Sequence, residues 1–293
     1  MTATLIRRFL ALALVATATA CGSGSPKPPA GGCVRAAIPT TGPGDVSNHF
    51  PARVGSTWSY SVDAGAGTVT RTVTGTQPAG AETASVFSSS SPGSTTVELV
   101  VKRPSGVYVL ADASVDPLLA GTYPSLVLPF PVAVTAATQQ ATCTNLDVGD
   151  ADGDGKADRA DLTSTLRVFS VNETVVVAAG NFIDVAHVQT DITMTVRATA
   201  AGTLTVQGVQ DDWYAKGVGQ LVSSMMLTIP GYGSDSQTMS LVTYTITPAM
   251  APIGAPEPLV SPGGPASLAP SGGRARRASL EELVLEAARR LGR

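Results

Sequence analysis

Regularly spaced oxygen ligands between residues 150 and 161 are the side chains of this sequence best suited to chemistry. Carboxylates fall at positions 1, 3, 5, 9 and 12 of this twelve-residue segment, and glycine falls at position 6. Ca²⁺ takes about six to eight oxygen ligands, so a chain that binds it must circle the ion. Glycine permits the sharp turn that this requires. With the carbonyl of the seventh residue, the predicted calcium ligands are Asp150, Asp152, Asp154, Lys156, Asp158 and Asp161.

This spacing resembles the calcium loops of EF-hand, dockerin and thrombospondin-type proteins, D-x-D-x-D-G-x-x-D-x-x-D. The last position is Asp161 rather than the glutamate that is typical of EF-hands, and residues 162–169 predict a strand rather than a helix. The resemblance therefore implies metal ligation and not cohesin binding. Ca²⁺ is favoured over Mg²⁺, which gives up its bound waters reluctantly. The alternative interpretation is an acidic, solvated turn without an ion.

Catalytic constellations are weak by comparison. The chain has two histidines, His49 and His187, and His187 lies on the polar face of a predicted strand. A triad with Asp191 and a serine can be drawn, but the sequence contains no G-x-S-x-G motif, and triads are defined by geometry. Clustered zinc ligands, a P-loop and a dinucleotide fingerprint are also absent from the sequence. We predict no catalytic residues, and hydrolysis of an envelope polymer with His187 as general base is the alternative function.

The N-terminal residues have the layout of a bacterial secretion signal. Arg7 and Arg8 precede an apolar run, and small residues lead from there to Cys21. This layout resembles a lipoprotein signal, whose cysteine is diacylated and becomes the mature N-terminus. The resemblance implies a lipid-anchored, extracytoplasmic protein of the bacterial cell envelope, held to the membrane through Cys21. An ordinary secretory signal is the alternative.

The cysteine count is compatible with export. The chain has three cysteines, and acylation of Cys21 would leave Cys33 and Cys143 as a candidate disulfide pair in an oxidising compartment. The alternative is two unrelated buried thiols, because spacing along the chain does not fix the distance between their Cα atoms.

Composition indicates a β-rich chain that does not bind nucleic acid. Charged residues make up 14% of the sequence, the net charge is −3, and we find no basic patch interleaved with aromatic residues. No apolar run of about 20 residues follows the secretion signal, so we expect no transmembrane helix.

Alternation of apolar and polar residues predicts one domain over residues 48–248. The clearest strand spans residues 186–197, with Val188, Ile192 and Met194 on one face and His187 and Gln189 on the other. Further strands are predicted at residues 58–62, 69–74, 97–101, 107–110, 162–169, 203–209, 221–229 and 239–247. We predict a mainly β fold, a single antiparallel and strongly curved sheet that forms a half-barrel or sandwich, because sheets of this size curl or split.

Segments of biased composition flank this domain. Residues 1–20 are predicted to be a signal peptide, residues 21–47 the lipidated cysteine with a flexible linker, and residues 249–278 a Pro/Gly/Ala-rich linker. A capping box at residues 279–282 opens a short amphipathic C-terminal helix over residues 279–293. Such a helix is marginal alone, so we expect it to fray or to dock weakly.

Two short motifs give a resemblance that spans most of the domain. The pattern V-G-x-x-W-x-Y occupies residues 54–60, and Y-A-x-G-V-G occupies residues 214–219. The pair resembles a group of bacterial envelope lipoproteins that have no assigned activity. The resemblance implies an antiparallel, barrel-like sheet similar in general shape to lipoprotein carriers. We therefore predict a non-enzymatic binding or structural module, whose concave face is suited to an apolar ligand or an envelope component.

Overall fold

The computed structural model describes residues 31–111, 120–150, 154–200, 202–230 and 233–248. Within these residues thirteen strands form one antiparallel sheet, and the helical segments are two 3-10 turns, Asp63–Gly65 and Ala120–Thr122. The predicted mainly β fold with a single antiparallel sheet is confirmed. The strands are β1 Gly32–Arg35, β2 Thr57–Val62, β3 Gly67–Ala79, β4 Glu82–Ser91, β5 Ser94–Arg103, β6 Gly106–Leu110, β7 Ser125–Pro129, β8 Thr138–Gly149, β9 Asp158–Val177, β10 Gly180–Ala198, β11 Gly202–Ala215, β12 Gly219–Ile229 and β13 Gly233–Thr245.

The sheet consists of two meanders that are joined at one seam. The strand order is β1-β8-β9-β10-β11-β12-β13-β2-β3-β4-β5-β6-β7. Strands β2 to β7 follow each other in space as they do along the chain, and so do β8 to β13. Pairing of β13 with β2 joins the meanders, with Leu241 opposite Tyr60. The short strands β1 and β7 are left at the two edges of the sheet.

One face of the sheet packs against itself to form the core. Val107 of β6 and Leu128 of β7 belong to the same buried cluster as Leu166 and Val168 of β9, which lie many strands away in the order. A second cluster includes Cys143 of β8 together with side chains of β9 and β10. Contact between strands so far apart in the order requires the sheet to bend around its apolar face.

Strand β10 confirms the alternation predicted for residues 186–197. Val188, Ile192 and Met194 are buried, whereas His187 and Gln189 lie on the other face and are only partly exposed. The strand is longer than predicted because it pairs with β9 back to the tight turn between Val177 and Gly180. Strands β4, β7 and β8 were not predicted from the sequence.

Strand β1 lies inside residues 21–47, for which the composition predicts a flexible linker. It pairs with β8, and Cys33 and Cys143, directly opposite each other in the register, form a disulfide. Gly31 enters this strand against the backbone of β8, since a Cβ atom on Gly31 would lie 2.0 Å from the carbonyl oxygen of Asn145. Glycine is required there by close packing rather than by flexibility. The predicted signal peptide, the linker 249–278 and the helix 279–293 lie outside the described residues.

Replacement of both Cys33 and Cys143 by serine is expected to destabilise the domain. The disulfide joins residues 110 positions apart, so its loss removes a long-range restraint on the unfolded chain. The expected cost is about 2–5 kcal/mol, measured as a lower urea midpoint of the oxidised protein. Val34→Ala in the same strand is the control, because Val34 is 75% exposed and its loss removes little packing. Equal midpoints for the serine variant and the native protein would contradict a stabilising disulfide.

A carboxylate fastens the chain ahead of β2. Asp45 accepts the backbone N–H groups of His49 at 2.8 Å and Phe50 at 3.1 Å, and the ammonium group of Lys102 donates to it at 2.8 Å. Burial raises the pKa of Asp45, but the bond from Lys102 and the two backbone bonds outweigh it, so the pKa lies below its usual value. His49 itself is buried, which lowers its pKa, and it is not placed as an accessible base.

Asp45→Asn should lower the free energy of unfolding at neutral pH, and the difference from the native protein should disappear in acid. Hydrogen bonds to charged groups contribute about 1.5–3 kcal/mol. Because the pKa of Asp45 is lowered in the folded state, its contribution is complete above the unfolded pKa of about 3.9 and is lost as the pH falls through the folded pKa. Urea titrations of both proteins from pH 7 to pH 2 should show curves that converge below pH 4. A difference that stays constant over this range would contradict the assignment.

Candidate functional site

The predicted calcium segment forms the loop between β8 and β9. Asp150 follows β8 directly, and its Oδ2 accepts the backbone N–H of Gly155 at 2.9 Å. Gly155 has φ +85°, so glycine is needed at this turn. The Oδ1 of Asp154 accepts the backbone N–H of Lys156 at 2.8 Å. The turn therefore closes between positions 1 and 6 of the loop, whereas Asp152 lies outside the described residues.

The last two predicted ligands lie on opposite faces of strand β9. The carboxylate of Asp158 is buried with Ala160, and its Oδ1 accepts the backbone N–H of Thr199 at 2.9 Å. Asp161 points to the other face, where Arg197 pairs with it and the backbone N–H of Asn145 donates to it at 2.8 Å. The bond from Arg197 holds the pKa of Asp161 below its usual value.

This alternation argues against Asp161 as a ligand of the same ion as Asp158, because neighbouring side chains of a strand point to opposite faces. Among the residues that the structure describes, no three His, Cys, Asp or Glu side chains are grouped to hold one metal ion. The described part of the loop thus closes through Asp150 and Asp154, and Asp161 lies on the other face of β9 from Asp158.

A polar and aromatic network surrounds His187 on the outer face of the sheet. The Nδ1 of His187 lies 3.1 Å from Glu173 Oε1, and its Nε2 lies 2.7 Å from Asp211 Oδ1. The indole N–H of Trp213 donates to Glu173 Oε2 at 2.7 Å, and the Trp213 ring stacks on the imidazole with centroids 4.3 Å apart. The network, called the His187 cluster below, comprises Arg167, Phe169, Glu173, His187, Gln189, Asp211 and Trp213.

Strand register explains why these residues meet. His187 is opposite Trp213, and Gln189 is opposite both Arg167 on β9 and Asp211 on β11. The amide of Gln189 donates to Asp211 at 2.8 Å and accepts from the guanidinium of Arg167. Three strands thus contribute to one patch. The sequence indicated His187 and Gln189 as one polar face, but it did not indicate Glu173, Asp211 or Trp213 as their partners, since those contacts depend on pairing.

The geometry around His187 is not that of a nucleophile and its base. Each ring nitrogen of His187 faces a carboxylate oxygen rather than the hydroxyl or thiol group of a nucleophile. Ser170 is the serine opposite His187 in the β9 register, but its hydroxyl donates to Asn172 at 2.9 Å. Within the described part of the chain, neither ring nitrogen of His187 is hydrogen-bonded to a hydroxyl or thiol group.

The two motifs that carry the lipoprotein resemblance meet in the core. The indole N–H of Trp58 donates to the carbonyl of Val218 at 2.7 Å, and the hydroxyl of Tyr60 donates to the carbonyl of Gln220 at 3.1 Å. Gly219 lies beside Trp58 and has φ +98°, a backbone conformation that favours glycine. These contacts are structural, because every group involved is buried and paired.

The core beside this junction leaves little free space. A recess there has a volume of about 10 Å³, and its lining includes four aromatic side chains, Arg71 and Gln220. Ordinary ligand pockets measure about 300–1,000 Å³. The recess is therefore too small for a lipid or a similar apolar molecule.

Comparisons with known proteins do not assign a family. No protein-family model and no curated protein matches the chain. A crystal structure of a "putative lipoprotein" from Parabacteroides distasonis is 13% identical, covers 69% of this chain and 100% of that chain, and has a TM-score of 0.36. A "putative exported protein with YmcC-like fold" from Bacteroides fragilis is 13% identical, covers 67% and 98%, and has a TM-score of 0.34. These values do not transfer a fold family or a function to the chain.

The described residues contain no helix that is both long and apolar enough to cross a membrane.

Proposed function

We propose that the chain is an exported envelope protein, tethered by lipid on Cys21, whose β-domain is a non-enzymatic binding or structural module. The basic, apolar and small-residue segments ahead of Cys21 support export and acylation. Residues 22–31 then lead to β1, which the Cys33–Cys143 disulfide fixes to the domain. A tether that begins at a lipid thus ends at a covalent attachment to the sheet.

The observation that carries the non-enzymatic assignment is the pair of carboxylates at His187. A general base needs one free ring nitrogen directed at the proton that it removes. Here Glu173 and Asp211 occupy both nitrogens, at 3.1 and 2.7 Å. The hydrolase alternative lacks support as well, because no hydroxyl or thiol group of the described residues is hydrogen-bonded to the ring.

An envelope component is a better partner for this domain than an apolar ligand. Apolar side chains of the sheet pack against each other in the core, and the recess beside Trp58 measures only about 10 Å³. The polar and aromatic groups that are not used in packing lie on the outer face. Binding on that face, rather than inside the sheet, is the function that the geometry supports best.

The tether can be tested by metabolic labelling. Cells that express the full chain should incorporate a clickable fatty acid into the protein, and Cys21→Ala should abolish the label. The matched control is Cys33→Ala, which removes a different cysteine and should leave the label unchanged. A label that persists in Cys21→Ala would rule out acylation at this residue.

We further propose that the loop between β8 and β9 binds one structural Ca²⁺ ion. The candidate ligands are the carboxylates of Asp150, Asp152, Asp154 and Asp158 and the carbonyl of Lys156, all of which are oxygen donors of the kind Ca²⁺ prefers. The closed turn between Asp150 and Gly155 supports this set. Thr199 contributes by fixing Asp154 and Asp158 from the neighbouring hairpin. When bound, the ion would neutralise a dense group of carboxylates.

Calcium should raise the melting temperature of the purified protein. An ion that binds only the folded state stabilises it by about 2.7 kcal/mol at one hundred times its Kd. We expect Asp150→Asn to abolish the shift and the binding heat in calorimetry, whereas Asp161→Asn should keep both, because Asp161 is paired with Arg197. No binding heat at millimolar Ca²⁺ would end the proposal, and loss of binding in Asp161→Asn would return that residue to the ligand set.

A further inference from the structure

We propose that the outer face around Phe169 binds the pyranose rings of a neutral envelope glycan, an inference that deepens the proposed binding function and rests on it. Phe169 is 53% exposed although it belongs to a network of otherwise largely covered side chains. The guanidinium of Arg167 lies 5.0 Å from the centre of its ring and holds the ring in place. The axial C–H groups of a pyranose form an apolar face that suits the electron-rich face of an aromatic ring.

Two side chains of the His187 cluster keep hydrogen-bonding capacity. Asp211 uses Oδ1 to accept from His187 and Gln189, while its Oδ2 makes no hydrogen bond within the described residues. Arg167 uses Nε and one terminal nitrogen to bind Gln189, and its Nη1 makes no hydrogen bond there either. The donor is on the same strand as Phe169, and the acceptor is two strands away, beyond His187. Recognition of sugar hydroxyl groups uses donors and acceptors of this kind.

These groups are held in place before any ligand arrives. His187 is fixed between Glu173 and Asp211 and stacks on Trp213, and Gln189 joins Arg167 to Asp211. Side chains that are already ordered lose little rotamer freedom on binding, which favours affinity. The patch is also partly shielded from water, because His187, Gln189 and Asp211 are only partly exposed.

The charges of the patch disfavour an anionic ligand. Arg167 stands among the carboxylates of Glu173, Asp191 and Asp211, so acidic groups outnumber the one arginine. This excess of negative charge would repel a polyanion, whereas a neutral ligand avoids that repulsion. An exposed ring with interspersed donors and acceptors matches a polyhydroxylated molecule that has one apolar face.

Titration calorimetry of the purified full chain tests the proposal. The probes are chitotetraose, maltotetraose and an unstructured peptide rich in proline and aromatic residues. At least one glycan probe should bind, Phe169→Ala should weaken its binding tenfold or more, and Phe169→Tyr, which keeps the ring, should restore it. Val176→Ala is the matched control, because Val176 is a 76% exposed apolar residue of the same strand. The affinity of this variant for the glycan should stay within twofold of the affinity of the native protein.

The result that overturns the glycan site is an absence of binding by both glycans at millimolar concentration to protein that melts cooperatively, or binding that Phe169→Ala leaves unchanged. Binding of the peptide alone would also overturn it and would assign a protein partner to this face. Release of new reducing ends from a bound glycan would instead keep the glycan site and refute the non-enzymatic function, so the two failures are distinguishable.

Discussion

The hydrogen bond from the indole of Trp58 to the carbonyl of Val218 is the contact on which the joining of the two meanders depends. Strand β2 reaches the later meander by pairing with β13, and Trp58 extends past β13 to the turn that opens β12. Gly219, which opens β12, adopts φ +98°, a backbone conformation that favours glycine. A buried donor without this acceptor would carry a desolvation cost, so the ring fixes the meanders in one arrangement.

The opposite end of the fold is organised around β8. Asn145 lies in a bulge of this strand and has φ +55°. Its carbonyl packs against Gly31, and its backbone N–H donates to Asp161. Asp161 is in turn paired with Arg197 of β10. The residue that the spacing predicted as the last calcium ligand therefore braces the strand to which the N-terminal segment is attached, next to the Cys33–Cys143 disulfide.

These two regions leave the outer face of β9, β10 and β11 as the part of the sheet with unassigned polar chemistry. The apolar face is consumed by the core, and Trp58 and Tyr60, which are aromatic residues of the kind that could contact a ligand, are used inside it. Trp213, one residue before the second motif, points the other way and joins the His187 cluster. Trp213 and Tyr214 serve opposite faces because consecutive side chains of a strand alternate.

Local pattern indicated nine of the thirteen strands in the described residues, and tertiary pairing decided the sites. The alternation in residues 186–197 was sufficient to predict β10 and its buried face, because side-chain period is a property of the strand alone. The spacing of the acidic loop was also visible in the sequence. The sequence did not show that Asp158 and Asp161 lie on opposite faces of β9, because this depends on where β9 begins. Strand β1 was misread as linker because its stability comes from Cys143, far along the chain, and not from its own composition. The partners of His187 lie on two other strands, and only the register of β9, β10 and β11 brings them together.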